Sequence, residues 1–172
     1  MRLVSETRGI EKLREIRSEF AAEIRGSYEH KAKPCALCES PGICCRDEHF
    51  VNVRITRLEA AAIQRRLDEL GEDKRNEVRK RALEAIDKYD LAAPGDSLLK
   101  TYACPLFEKG LGCLVHDTVK PLPCIAHACY ENEADLPPSK LLEQSEILIS
   151  ELNRRVYGKP TLPLSIPVAI AG

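Results

Sequence analysis

The chain predicts a mainly α-helical protein with a small, irregular α+β region that binds metal, its helices packed around a cysteine-rich cluster. Three observations carry this. Apolar residues recur at steps of three and four over residues 6–29, 56–70, 73–89 and 138–157, the period of one helix face. Between these periods, residues 32–48 and 104–130 are crowded with Pro, Gly and Cys and hold only short alternating runs. Aromatic residues make up 5% of the chain and Trp is absent, so the core is expected to be aliphatic. The 172 residues suffice for one domain. It is read as an N-terminal helix (6–29), a cysteine-cluster core (32–130), a C-terminal helix (138–157) and an extended tail (160–172).

In the first helix Ile10, Leu13, Ile16, Phe20, Ala21, Ile24 and Tyr28 share a side. Arg17 falls inside that stripe and is expected to snorkel to its edge, or to pair with a buried carboxylate. After the Pro- and Gly-rich loop, Val51, Val53 and Ile55 alternate with Asn52 and Arg54, the pattern of a short strand. Thr56 followed by Glu59 is a capping box, opening a helix that runs to Leu70 and stops at Gly71. The next helix, about Asp73 to Tyr89, places Val78, Ala82, Ala85, Ile86 and Tyr89 on one face. Its charged side, KRNEVRKR, reads as a solvated face, with a protein-partner surface as the alternative. Pro94-Gly95-Asp96 is a turn, SLLKTYAC a weak strand, EKGLG a hairpin turn and CLVH its returning strand. Asp117 is expected to cap a short helix toward Pro121 and Pro123. Leu141, Ser145, Leu148, Leu152 and Val156 form the stripe of the last helix, capped near Ser139 and ended by Gly158 and Pro160. The closing TLPLSIPVAIAG is apolar but interrupted by Pro163 and Pro167.

Charge and targeting features narrow the function classes. Lys and Arg number 26 against 27 Asp and Glu, for a formal net charge of −1. A nucleic-acid footprint needs a basic excess, so none is expected. The N-terminus lacks the apolar region of a signal peptide, and no run reaches the length of a membrane span, so a cytoplasmic protein without membrane contact is expected. Disulfides rarely persist in the cytosol. Eight thiols there point to metal or redox chemistry, with an oxidised scaffold as the bland alternative.

The eight cysteines fall into two groups of four: Cys35, Cys38, Cys44 and Cys45, then Cys104, Cys113, Cys124 and Cys129. Cys35-Ala36-Leu37-Cys38 is a C-x-x-C, whose two-residue gap lets both sulfurs turn to one ion while turn N–H groups donate to the thiolates. Alone it fits a redox pair equally well; followed by Cys-Cys and four more thiols it points to metal. Neighbouring side chains of an extended segment face opposite ways. Cys44 and Cys45 are therefore expected to serve different centres, so that the two groups interleave. The alternatives are one ligand beside one free thiol, or a sharp backbone turn between the two. The gaps in the second group are eight, ten and four residues, which match neither common ferredoxin spacing. His116 and His127 each lie three positions after a cysteine and are candidate substitute ligands, against a plain surface role; His30 and His49 flank the first group with less support. Four thiolates on one Zn²⁺ leave excess negative charge, and Lys31, Lys33, Arg46, Lys109 and Lys120 stand nearby in sequence to offset it.

These residues carry a resemblance. CALCESPGICC, RITRLEAAAI and CPLFEKGLGCLVHDTVKPLPCIAHAC are similar to the YkgJ-type cysteine-cluster proteins, a family taken to chelate zinc or iron through a C-x-x-C-x4-C-C signature. The family's later outline runs C-P-F/L, G-x-C, R-P-x-x-C-R and a final Cys. The likeness covers about residues 35–130. Here five residues separate Cys38 from Cys44, Lys120 stands in place of the Arg before proline, and Ile125 in place of the Arg after cysteine. The resemblance implies all eight cysteines as metal ligands, holding an iron–sulfur cluster or Zn²⁺, and tilts the choice to iron–sulfur. One branch of the family acts in flagellin lysine N-methylation, where an iron–sulfur cluster is implicated. No glycine-rich nucleotide loop follows a strand here, so that activity is not carried over.

Three functions are therefore open: a metal-binding module with a structural or electron- or cluster-transfer role, a cluster-dependent or thiol-based enzyme, and a protein–protein adaptor stabilised by structural zinc. No catalytic residue is singled out, nor any oligomeric state.

Overall fold

The computed structural model describes residues 3–34, 37–40, 42–46, 51–92 and 99–172. In chain order the regular elements are helix α1 (Glu6–Ser27), strand β1 (Ala32–Lys33), strand β2 (Arg54–Ile55), helices α2 (Arg57–Glu69) and α3 (Glu72–Lys88), strands β3 (Phe107–Glu108) and β4 (Gly112–Cys113), helix α4 (Leu122–Ala126), strand β5 (Cys129–Tyr130), helix α5 (Ser139–Tyr157), strand β6 (Leu164–Ser165) and helix α6 (Ile166–Ala171). The protein is mainly helical. Its strands pair as three antiparallel couples, β1 with β5, β2 with β6 and β3 with β4. No helix among the described residues is long and apolar enough to cross a membrane.

A single domain over 1–172 is the expectation from sequence; the chain condenses into two compact units. The first joins Met1–Pro41 to Lys120–Pro160, and the second joins Gly42–Val119 to Thr161–Gly172. Each unit draws on two separate stretches of the chain; of the described cysteines, Cys38, Cys124 and Cys129 fall in the first and Cys44, Cys45, Cys104 and Cys113 in the second.

In the first unit α1 packs against α5 and α4. Ser5 caps α1 by accepting from the Arg8 N–H at 3.4 Å. Ile10, Leu13, Phe20 and Ile24 are buried along it, as the periodicity predicts. Arg17 departs from the snorkelling expectation: it is buried, and its Nε donates to the Lys120 carbonyl at 2.6 Å. The end of α5 is tied to the start of α1 by Val4 N–H to Arg155 carbonyl (3.0 Å) and Tyr157 hydroxyl to Glu6 carboxylate (2.7 Å). Gly158 ends α5 at φ +77°, a left-handed cap that suits glycine.

The stripe of α5 is corrected. Leu152 is buried as expected, but Leu148 is 53% exposed, and Ile149 and Asn153 are buried as well. The run Ile147-Leu148-Ile149 offers an apolar residue to more than one helix phase, so periodicity alone does not choose. The short helix near Pro121 is also corrected. Residues after Asp117 form turns, and α4 starts at Leu122, with Pro123 in the first turn where no N–H is needed.

In the second unit α6 packs on α3 and α2, and α2 packs on α3. Leu58, Ala62, Ile63 and Leu67 of α2 are buried, as are Val78, Ala82 and Ala85 of α3 and Ile166 and Ile170 of α6. Val51, Val53 and Ile55 are buried in alternation, although only Arg54–Ile55 is regular strand. The closing segment is corrected from an extended tail to strand plus helix. Pro167 sits in the first turn of α6, which tolerates proline, and β6 pairs Ser165 with Arg54. The Pro94-Gly95-Asp96 turn lies outside the described residues. The expected strand before Cys104 is not regular over residues 99–104.

The capping box is formed. The Glu59 carboxylate accepts from the Thr56 N–H at 2.7 Å, and the Thr56 hydroxyl accepts from the Glu59 N–H at 3.3 Å. Both residues are buried. Thr56→Ala is expected to cost about 1–2 kcal/mol, read as a lower urea midpoint at unchanged slope. A loss below about 0.3 kcal/mol would deny the cap any part in stability.

Candidate metal centre

The second unit holds Cys44, Cys45, Cys104 and Cys113, and backbone bonds link the segments that carry them. Gly42 adopts φ +80° and opens a 3-10 turn over Ile43–Cys45. The Cys45 N–H donates to the Gly42 carbonyl at 2.9 Å and the Arg46 N–H to the Ile43 carbonyl at 3.0 Å. The Cys104 N–H then donates to the Cys45 carbonyl at 2.9 Å, joining the two sequence groups. The Phe107 N–H donates to the Cys104 carbonyl at 3.1 Å. Phe107 is the cross-strand partner of Cys113 in the β3–β4 hairpin. Its ring lies on Gly42: a β-carbon built there would stand 2.1 Å from Phe107 Cζ.

The thiols follow the backbone. A side-chain hydrogen bond with Cys44 holds the Cys45 thiol far above the ordinary thiol range. Burial raises it further, as do the neighbouring charges of Cys104, Cys44 and Cys113. Cys44 and Cys45 stand within hydrogen-bonding reach of each other. The expectation of separate centres assumed extended backbone, and the 3-10 turn replaces it. The interleaving of the two sequence groups is present.

Residues distant in sequence hold the hairpin. Arg81 of α3 donates from Nε to the Pro105 carbonyl at 3.0 Å, and Lys74 Nζ lies 2.9 Å from Glu108 Oε2. Part of the basic run read as a solvated face therefore clamps the segment carrying Cys104 and Cys113. Nothing local in the sequence signals this pairing.

In the first unit, Cys38 and Cys129 line a cavity of about 320 Å³ with Lys33, Pro34, Glu39 and Ser40. The β1–β5 couple sets Lys33 opposite Cys129. Cys129 is exposed, while Cys38 and Cys124 are half-buried. Cys124 lies in α4, whose C-cap is His127. Cys35 and His49 lie outside the described residues. His116 is exposed, with Nε2 4.0 Å from Asp117 Oδ1, and His30 is exposed in a 3-10 turn. Lys31 stands 3.9 Å from Asp135, Lys33 lines the cavity, and the Lys120 carbonyl receives Arg17.

No disulfide joins any two of the seven described cysteines. Among the described residues no three His, Cys, Asp or Glu side chains stand in a ready metal-holding arrangement. Thiols are the residue type that a thiophilic cation takes as ligands. The Cys45 thiol resists ionising, which is the condition a bound cation relieves. The S–H···S contact between Cys44 and Cys45 would give way to coordination.

No protein-family model, curated protein or solved structure matches this chain.

Proposed function

We propose that this chain is a cysteine-cluster metalloprotein that binds an iron–sulfur cluster or zinc through Cys35, Cys38, Cys44, Cys45, Cys104, Cys113, Cys124 and Cys129. Its role is structural or in electron or cluster transfer. One observation carries the reading: thiols 59 residues apart in sequence, Cys45 and Cys104, are joined by a backbone hydrogen bond and sense each other's charge. Crowded thiols disfavour each other's ionised form, and a bound cation would relieve that. The resemblance to the YkgJ-type proteins adds to it and favours iron–sulfur. The bound group would supply redox chemistry as a cluster, or a rigid cross-link as zinc.

Anaerobic purification followed by metal analysis and a visible spectrum is the test. Iron with acid-labile sulfide and a brown colour is expected; a colourless protein with stoichiometric zinc would keep the metalloprotein and select a structural role. A metal-free protein with eight freely titrating thiols would end the proposal. Chelation of the loaded protein is expected to lower its thermal midpoint. The stabilisation lost is about 4 kcal/mol when free metal had stood at 1,000 times its Kd.

A further inference from the structure

We propose that Cys45 and Cys104 are a redox-sensitive pair, two thiols that a hydroperoxide converts to a reversible disulfide joining the turn after Gly42 to the segment before the β3–β4 hairpin. This goes beyond the metalloprotein reading and needs no bound metal.

The backbone sets the pair. The Cys104 N–H donates to the Cys45 carbonyl at 2.9 Å. Residues joined by such a bond have α-carbons about 5.5 Å apart in paired strands and less than about 7 Å apart in turns. Disulfides bridge α-carbons about 4.4–6.8 Å apart. Each partner is also held from outside the pair. The Cys45 N–H donates to the Gly42 carbonyl at 2.9 Å, and the Cys104 carbonyl accepts from the Phe107 N–H at 3.1 Å. The side chains are neighbours too, since the Cys45 thiol senses the charge of Cys104. Both residues are half-buried rather than sealed, so a small oxidant can reach them.

Cys44 is the rival partner, because its side chain is hydrogen-bonded with that of Cys45. Adjacent α-carbons across a trans peptide stand only about 3.8 Å apart, short of the disulfide range. A Cys44–Cys45 bond would therefore be strained, and strained disulfides are readily attacked by a nearby thiol. Exchange then passes the bond to Cys104. The chemistry balances with the hydroperoxide as oxidant. One sulfur attacks the O–O bond, becoming a sulfenic acid while the other oxygen leaves as water or alcohol. The second sulfur displaces the sulfenic oxygen as water and the S–S bond closes. The two thiols lose two protons and two electrons, and the peroxide is reduced.

The test uses the full chain, reduced and held under native conditions with excess chelator. It is exposed to an equimolar amount of hydrogen peroxide, quenched with N-ethylmaleimide and mapped by peptide mass spectrometry. The Cys45–Cys104 link is expected to be the most abundant intramolecular disulfide, and dithiothreitol is expected to restore both thiols. In concentrated urea the same link is expected to become a minor product, since loop closure in an unfolded chain favours cysteines near in sequence. Cys45 or Cys104 joined mainly to another cysteine would overturn the inference, as would oxidation to sulfinic acid without a disulfide. An equal yield of the link in urea would overturn it as well, because the fold would then not be what selects the pair. Metal analysis of the untreated chain decides the metalloprotein reading separately, and neither result fixes the other.

Discussion

Gly42→Ala is expected to destabilise the second unit by about 2–5 kcal/mol and, on the metalloprotein reading proposed above, to lower the metal content. Two separate penalties combine. An L-residue at φ +80° enters the left-handed region at a cost of about 1–2 kcal/mol. The new methyl would also stand 2.1 Å from Phe107 Cζ and 2.3 Å from Cε2, far inside contact distance. Relief requires the ring to swing away or the turn to open, and overpacking of this kind costs about 1–3 kcal/mol. Either movement pulls on Cys113, which pairs with Phe107, or on Cys44 and Cys45, which follow Gly42. Thermal or urea unfolding of Gly42→Ala, Phe107→Ala and the double variant separates the two penalties. The alanine at position 42 is expected to cost less in the Phe107→Ala background, with the backbone share remaining. Gly42→Asn tolerates the dihedral better but adds the same β-carbon, so it is expected to keep the steric share. A Gly42→Ala variant within about 0.5 kcal/mol of the parent would show that Phe107 does not hold the turn.

The parts of the fold legible in the sequence are those decided by near neighbours. Thr56 and Glu59 are three residues apart, and their reciprocal bonds need nothing else. The stripe of α1 is unambiguous because its apolar positions are flanked by charge on either side. In α5 three consecutive apolar residues leave the phase to tertiary packing, which buries Ile149 and exposes Leu148. The prolines of the last segment suggested an extended chain, but a helix accepts proline in its first turn, and Ile166 and Ile170 supply the buried side.

At the candidate centre, the sequence names candidates but not their geometry. Residue types alone single out the eight cysteines, since thiol ligands at C-x-x-C spacing carry their chemistry with them. Which sulfurs meet depends on contacts across tens of residues: Cys45 with Cys104, Phe107 with Gly42, Lys74 with Glu108. Pro41-Gly42 announces a turn. That the turn sets two adjacent thiols side by side follows only from the 3-10 conformation that comes after it.

Tyr102→Ala is the second large effect, about 3–5 kcal/mol, because it removes a wholly buried ring. Tyr102 stands two residues before Cys104 and fastens that approach in three ways. Its N–H donates to the Val51 carbonyl at 3.0 Å, its hydroxyl donates to the Val53 carbonyl, and that hydroxyl accepts from the Ile166 N–H at 3.1 Å. Tyr102→Phe keeps the ring and loses only the hydroxyl bonds. The Ile166 N–H already reaches the Val53 carbonyl at 3.3 Å, so the two groups left behind have each other. The expected cost is then about 1–2 kcal/mol. Metal content follows the same order: it is expected to fall in the Ala variant, where the segment leading to Cys104 loses its anchor, and to persist in the Phe variant. Ile63→Ala, another core truncation of comparable cost but in α2, serves as the comparison for destabilisation alone. A Phe variant as unstable as the Ala variant would mean that the hydroxyl, rather than the ring, holds this segment. Equal metal loss in Ile63→Ala would mean that retention tracks the stability of the whole unit and not the placement of Cys104.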